Sequence, residues 1–447
     1  MKDNCIFSIS YILFLKLNLI LLFLNISKKA KLNSFVYNYI YLNRKMNKNK
    51  IRIGITANSI KNGGAERQTS LILHYFSKIE IFDLFLFTKK EKEENEYKIN
   101  INIKRKVIQN NLTELLIENN IDIVLFQFYN FSMIEELNKL KNIKTIFINR
   151  SCFLHWIYYN KYYFYRTIYR AFKNCKYLIS LIHFENDYLF KKWGINSIYM
   201  NNFMAYDYNS IVPSNLTSKI IIMVGRGDDV IKRFDYGIKA MKYIVKEIPE
   251  ALMKIISSKH HIKKLKELVK ELNLKNNVKF VGYKSNPEKY YREAALHIFP
   301  TLAEAFPNTL SETLIHGIPN ILLGLNYVST AKGGTVIIYD DSYLSLAKAS
   351  INILKDSQYR KILGKDARKN MKQYDNNLLL KRWIQLILAI YKGDIYYERL
   401  RNKDKKMSKE NAKEIIKSQI KLLKMRKEQF KNITIENIEN FTYMENL

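Results

Sequence analysis

Between about residues 50 and 392, short runs of Val, Ile, Leu and Phe alternate with longer amphipathic stretches. Apolar runs of four to seven residues read as strands buried on both faces, the habit of parallel sheets. Residues 51–57, 81–87, 122–126, 144–148 and 177–180 read this way, with a helix expected at 65–76 after the first of them. The alternation then restarts. Residues 210–218 are polar, carry Pro213 and read as a linker. Residues 219–225 form a second opening strand, followed by strands at 252–256, 278–281, 296–299, 320–323 and 335–339. Helices are expected at 262–272 and 344–354. Repeated βα order predicts an α/β chain of two Rossmann-like domains, 50–212 and 213–392. Ligands of such sheets bind beyond the carboxyl ends of the strands, here in the cleft between the halves.

The ends follow other patterns. Residues 6–26 are mostly apolar, interrupted by Lys16 and Asn18, and about 20 apolar residues span a bilayer. Lys28, Lys29, Lys31, Arg44 and Lys45 follow, so the leader at 1–45 reads in two ways. It is a signal anchor that leaves the bulk of the chain in the cytoplasm at the inner face of the membrane, or it lies upstream of a true start at Met46. Residues 393–447 are lysine-rich. Ala412, Ile416, Ile420, Leu423 and Phe430 form a helical stripe, with Lys413, Lys417, Lys421, Lys424 and Lys431 off it. This amphipathic basic helix either packs on its own protein or lies on an anionic membrane surface.

Composition adds exclusions. Of 447 residues, 47% are hydrophobic and 26% charged, which excludes global disorder. The cysteines, Cys5, Cys152 and Cys175, form neither a disulfide framework nor a zinc-binding pair. Lys and Arg number 74 against 41 acidic residues, a formal charge of +33. Such a chain attracts phosphates. The lysines are nonetheless spread along the whole length, alongside abundant Asn, Ile and Tyr, as A/T-rich coding would produce. No nucleic-acid-binding motif accompanies them, so a basic nucleic-acid-binding protein is the lesser alternative and no specific nucleic-acid partner is expected.

Three motifs carry candidate chemistry. Asn62-Gly63-Gly64-Ala65-Glu66-Arg67 joins the first strand to its helix, where glycine lets backbone N–H groups approach an anion at a helix N-terminus. Gly225-Arg226-Gly227 ends the first strand of the second half, and Lys232 follows; Arg and Lys there suit a diphosphate. The sharpest motif runs from Phe299-Pro300-Thr301 through Glu304 and Phe306-Pro307-Asn308 to Glu312. Asn308 is expected to cap a helix that Gly317 and Pro319 end. That places Glu304 in a loop and Glu312 in the second helical turn, with N–H groups near Thr309 and Leu310 facing the same pocket. A carboxylate accepts two hydroxyl hydrogen bonds at once, which suits a sugar or ribose diol.

Taken together and in this order, these motifs, with Gly317-Ile318-Pro319 beyond them, resemble glycosyltransferase family 4, the retaining GT-B enzymes. The resemblance covers roughly residues 50–392. It implies hexosyl transfer from a nucleotide diphosphate sugar to a hydroxyl of a glycan or lipid-linked glycan, in cell-surface polysaccharide or glycolipid synthesis. A GT-B sugar-nucleotide epimerase is the alternative enzyme. Carried over, Arg226 and Lys232 would neutralise the donor diphosphate, Glu304 would contact the donor sugar and Glu312 would hold the ribose. Gly63 and Gly64 would close on the phosphates, and a last helix at 378–391, with Trp383, would return to the first domain. No cofactor or metal is expected, which leaves Asp228-Asp229 and Asp340-Asp341 as turn residues. On the acceptor side many family members carry a His after the fourth strand. Here Asn149-Arg150 stands there, with His155 nearby but out of register.

Overall fold

The computed structural model describes residues 50–393, apart from 153–171 and shorter stretches that include 227–230, 259–261 and 325–330. The leader, the basic tail, His155, Asp228, Asp229 and Asp341 lie outside the described residues. Ile51 and the turn at 79–83 form a small unit, in which the Ile51 N–H donates to the Ile81 carbonyl at 2.8 Å.

Two parallel sheets organise the rest. The first contains β1 (Ile51–Ala57), β2 (Phe82–Thr88), β3 (Lys104–Val107), β4 (Ile123–Phe126), β5 (Lys144–Asn149), β6 (Tyr177–Ser180) and β7 (Ile198–Tyr199). Its strand order is β3-β2-β1-β4-β5-β6-β7. Helices α1 (Gly64–Phe76), α2 (Leu112–Glu118) and α3 (Phe131–Lys139) connect its strands. The second sheet holds β8 (Ile220–Val224), β9 (Leu252–Ile256), β10 (Val278–Phe280), β11 (Leu296–Phe299), β12 (Asn320–Leu323) and β13 (Thr335–Ile338), in the order β10-β9-β8-β11-β12-β13. Its helices are α4 (Phe234–Glu247), α5 (Lys263–Glu271), α6 (Glu288–Glu293), α7 (Asn308–Ile315), α8 (Tyr343–Lys355) and α9 (Ser357–Met371). In each sheet the order reverses beside the opening strand, between β1 and β4 and between β8 and β11. These are the topological switch points at which open α/β sheets bind ligands.

The central strands are apolar on both faces, as expected when helices cover both sides: β4, β6, β11 and β12 are buried throughout. The sequence pattern did not predict β3. Its Lys-Arg-Lys-Val run is an edge strand with alternating exposure, held by the Arg105 guanidinium, which donates to both carboxylate oxygens of Glu96 at 2.6 and 3.1 Å. An edge strand buries little, so it leaves no apolar run to read. Nor was β7 predicted, being two residues long.

The stretch at 210–218, expected as a linker, is packed against the second sheet. Ile211, Ser214 and Leu216 are buried. The Ser214 hydroxyl donates to the Ala294 carbonyl at 2.6 Å, and its N–H donates to the His316 carbonyl at 2.8 Å. Its polarity serves buried backbone groups rather than water. The last helix, α10 (Asn376–Lys392), is capped by Asp375, whose carboxylate accepts from the N–H groups of Asn377 and Leu378. It lies against the first sheet's α1: Trp383 meets Phe76 edge-on at 5.7 Å, and Asn376 donates to the Tyr75 hydroxyl at 2.6 Å. Arg382 donates to the Tyr199 carbonyl at 2.8 Å. Among the described residues no helix is long and apolar enough to cross a membrane.

Two buried histidines lie near α7. His297, on β11, has its Nδ1 2.5 Å from Asn320 Oδ1, and His316 Nδ1 donates to the Glu312 carbonyl at 2.6 Å. Burial pushes both pKa values down from 6.5 to about 4. Both rings therefore stay neutral in the folded chain while the unfolded chain takes up protons below pH 6.5. Stability is unaffected by these groups above about pH 7 and falls as pH drops from 6.5 toward 4. The expected slope is about 1.4 kcal/mol per pH unit for each ring. Denaturant midpoints between pH 7.5 and 5 check this, and His316→Gln should remove its share of the slope.

Candidate active site

Lys232 and Glu304 meet at the second sheet's switch point. Gly225 follows β8 with φ +153°, a conformation that glycine adopts without cost. Lys232 lies in the turn before α4, and Glu304 in the loop after β11. The two loops are tied by the Leu302 N–H, which donates to the Ile231 carbonyl at 2.9 Å. That tie sets the Lys232 ammonium directly on Glu304 Oε1. The Thr301 hydroxyl donates to the same oxygen at 3.3 Å. Beside Lys232, Arg233 takes a left-handed φ of 52°, and its guanidinium lies 3.4 Å from the centroid of the Tyr236 ring. A left-handed Arg is a strained residue, held by this stacking and by its burial. Arg226 is exposed at the mouth of the same loop.

Glu312 is engaged differently. It projects from the second turn of α7 and is 3% exposed. Its Oε1 accepts from Arg67 at 2.6 Å and its Oε2 from the Tyr291 hydroxyl at 2.7 Å. Burial and the adjacent carboxylate hold the Tyr291 phenol well above its ordinary pKa, so it remains a donor. For Arg67 burial acts downward, but Glu312 and neighbouring tyrosines outweigh it and the guanidinium stays charged. The Tyr206 ring lies 5.8 Å from that guanidinium.

Asn308 requires a correction. It does not cap α7: Pro307 holds the cap position, and Asn308 is the first helical residue. Its side chain is drawn instead into amide partners. Asn308 Oδ1 accepts from Gln68 at 3.1 Å and from Asn202 at 3.0 Å, while its Nδ2 donates to the Gly64 carbonyl at 3.1 Å. A Cβ on Gly64 would come within 3.3 Å of that Nδ2, so glycine permits this close approach of α1 to α7. Gly63 precedes α1 with extended backbone, and Thr309 and Leu310 complete the first turn of α7. Gln68 also clasps the backbone of Phe203, donating to its carbonyl and accepting its N–H, both at 2.9 Å. A small cavity opens among Gln68, Phe203, Tyr206, Asn308 and Glu312.

On the acceptor side Asn149 is buried at the end of β5 and accepts from the Ser151 N–H at 3.2 Å. Arg150 donates from Nε to Gln127 at 2.8 Å and from a terminal nitrogen to Asn202 at 2.6 Å. A polar chain thus runs from Gln127 through Arg150 and Asn202 to Asn308. Sequence reasoning assigned no role to Arg67, Gln68, Gln127, Asn202, Tyr206 or Tyr291. Arg67 and Gln68 lie at or just past the Gly-Gly turn, and their place one turn into α1 was the available signal.

Comparison with known proteins fits this geometry. The description "Glycosyl transferases group 1" matches residues 207–370, which contain Lys232, Glu304 and Glu312. Over that stretch the chain is similar to the group 1 glycosyl transferases. Among curated proteins similar to this chain, the poly(glycerol-phosphate) alpha-glucosyltransferase of Bacillus subtilis is 26% identical over 186 residues. The match covers 41% of this chain and 26% of that protein, so the chain spans about a quarter of that relative's length. Among solved structures, the sucrose-phosphate synthase of Thermosynechococcus elongatus superposes with a TM-score of 0.67 at 15% identity, over 77% of this chain and all of that one. Anabaena HepE, solved in complex with UDP and glucose, gives 0.60 at 14% identity, over 76% of this chain and 99% of that one. These likenesses are of fold, and the fold is GT-B: two Rossmann-like domains, each with its own parallel sheet.

Proposed function

We propose that the chain transfers a hexosyl group from a nucleotide diphosphate sugar to a hydroxyl of a glycan or lipid-linked glycan, with retention of anomeric configuration. The observation that carries this reading is the pairing of Lys232 with Glu304 across the β8/β11 switch point. A cation and a carboxylate held there, beside Arg226, match the two ends of a sugar diphosphate. Lys232 and Arg226 face the phosphates, and Glu304 accepts hydrogen bonds from the sugar hydroxyls. Glu312 holds the ribose, and Gly63 and Gly64 close on the phosphates from the first sheet.

In this mechanism the bond from the anomeric carbon to the phosphate oxygen breaks as the acceptor oxygen bonds to the same face. The departing phosphate takes the acceptor's proton. Negative charge grows on the phosphate during the step, and fixed cations and the α7 N-terminus stabilise it. These groups supply the charge that a metal would otherwise bring, and the proposal includes none. The B. subtilis relative's name gives a polyol phosphate as its acceptor and glucose as its sugar, which favours a cell-surface polymer here. The amphipathic basic stripe from Ala412 to Lys431 favours work at an anionic membrane surface.

A panel of UDP- and GDP-sugars, read by nucleotide release, tests the proposal. One donor should release its nucleoside diphosphate, faster with a glycan acceptor than with water, and the product should keep the donor's anomeric configuration. Inversion would remove the retaining step. Interconversion of sugars without transferred glycan would make the chain an epimerase.

A further inference from the structure

The carboxylate assigned to ribose is already occupied. A ribose diol needs room beside the Glu312 oxygens, but each already carries one donor and the side chain is 3% exposed, so the remaining lone pairs are shut away from a ligand. One partner has to yield. Tyr291 is fully buried in the apolar cluster formed with Ile222, Ala294 and Ile318, and cannot move without opening the second sheet's core. Arg67 belongs to α1 of the other sheet and its side chain is 20% exposed, so it is the partner free to leave the carboxylate. We propose that Arg67 is a further donor-site residue, one that fills the ribose seat until the nucleotide's diol displaces it from Glu312. The inference rests on the reading of Glu312 as the ribose holder.

Exchange, rather than simple filling, follows from the energetics of buried charge. Pulling Arg67 away with nothing in return leaves a desolvated carboxylate, a strongly unfavourable state. The diol supplies hydroxyl donors to that carboxylate at the moment the guanidinium leaves. The released guanidinium has the Gly63–Gly64 turn within reach, because Arg67 lies in the first turn of α1, its backbone N–H bonded to the Gly63 carbonyl at 3.0 Å. The donor phosphates are assigned to that turn, so the released cation faces an anion. Apparent affinity for the ribose is thereby reduced by the fraction of molecules in which Arg67 holds the seat.

The test compares UDP and GDP with their 2′,3′-dideoxy analogues by titration calorimetry, on the full chain and on variants shown by melting to be folded. The ratio of ribo to dideoxy affinity cancels whatever Arg67 does for the phosphates. Wild type should prefer the ribonucleotide, and Glu312→Gln should lose most of that preference. In Arg67→Gln the preference should rise by about ten-fold or more, because the diol no longer competes with a guanidinium. Should Arg67→Gln fail to fold, Arg67→Lys, which keeps the charge but loses the fork, should shift the ratio in the same direction by less. An unchanged or smaller ratio in the folded Arg67 variant overturns the exchange while leaving Glu312 as the ribose holder. A wild-type chain indifferent to the hydroxyls, or binding neither nucleotide, overturns the Glu312 reading itself.

Discussion

Lys232→Ala should lower turnover by about 10²–10³ with the best donor, while the melting temperature changes little. The ammonium sits at the switch point on a loop tied to the Glu304 loop, so its position is set before the donor arrives. In the proposed reaction its charge faces a diphosphate that becomes more negative as the glycosidic bond breaks. An interaction that strengthens in the transition state appears in turnover and not only in KM. Folding should tolerate the loss because Lys232 and Glu304 are partly open to solvent, at 18% and 14%, and Thr301 still donates to Glu304. Lys264→Ala, on the exposed face of α5, serves as the control and should alter neither rate nor melting. Steady-state kinetics of the three proteins decide it. Wild-type turnover in Lys232→Ala would remove the diphosphate assignment and leave the family likeness as a statement of fold.

Glu312→Ala should be a stability variant as well as a donor-binding one, losing about 3–5 kcal/mol. The sequence alone suggests a carboxylate that holds the ribose, whose removal would raise donor KM more than it lowers turnover. The structure places it at the centre of a buried pair. Without it Arg67 keeps a desolvated charge, and the fully buried Tyr291 loses its acceptor. Glu312→Gln should cost less, because an amide oxygen still accepts one of the two donors. Denaturant midpoints at neutral pH separate the cases. A Glu312→Ala chain as stable as wild type, with only KM raised, would show that the Arg67 pair contributes nothing to folding.

The strands most legible in the sequence were those buried on both faces. Residues 296–299 and 320–323 were read at their observed limits, because no solvent-facing position interrupts a central parallel strand, and so was 252–256, although Leu252 and Lys254 are half-buried there. Elements at the margin were not legible. In β3 alternate residues face solvent, and its charged composition reflects an edge held by the Arg105–Glu96 fork, a partner nine residues away that periodicity cannot indicate. The stretch at 210–218 failed for the converse reason. The Ser214 and Ser218 hydroxyls donate to the Ala294 and Glu293 carbonyls, and a buried hydrogen-bonded serine reads in sequence as an exposed one.

What the sequence determined by itself is the set of chemically equipped loops. Gly63-Gly64, Gly225-Arg226, Lys232, Glu304 and Glu312 were each identifiable because local spacing puts them at strand ends or helix starts. Only the tertiary structure decided their pairing. Glu304 and Glu312 stand eight residues apart and look alike, yet one accepts a lysine from its own domain and the other an arginine 245 positions earlier. Asn308 has the chemistry of a helix cap, but three amide and backbone partners 106, 240 and 244 positions away outcompete its own helix for the side chain. Local pattern encodes what a residue can bond to. Which bond forms depends on what the fold brings within about 3 Å, and on the cost of leaving a buried donor or charge unpaired when it arrives.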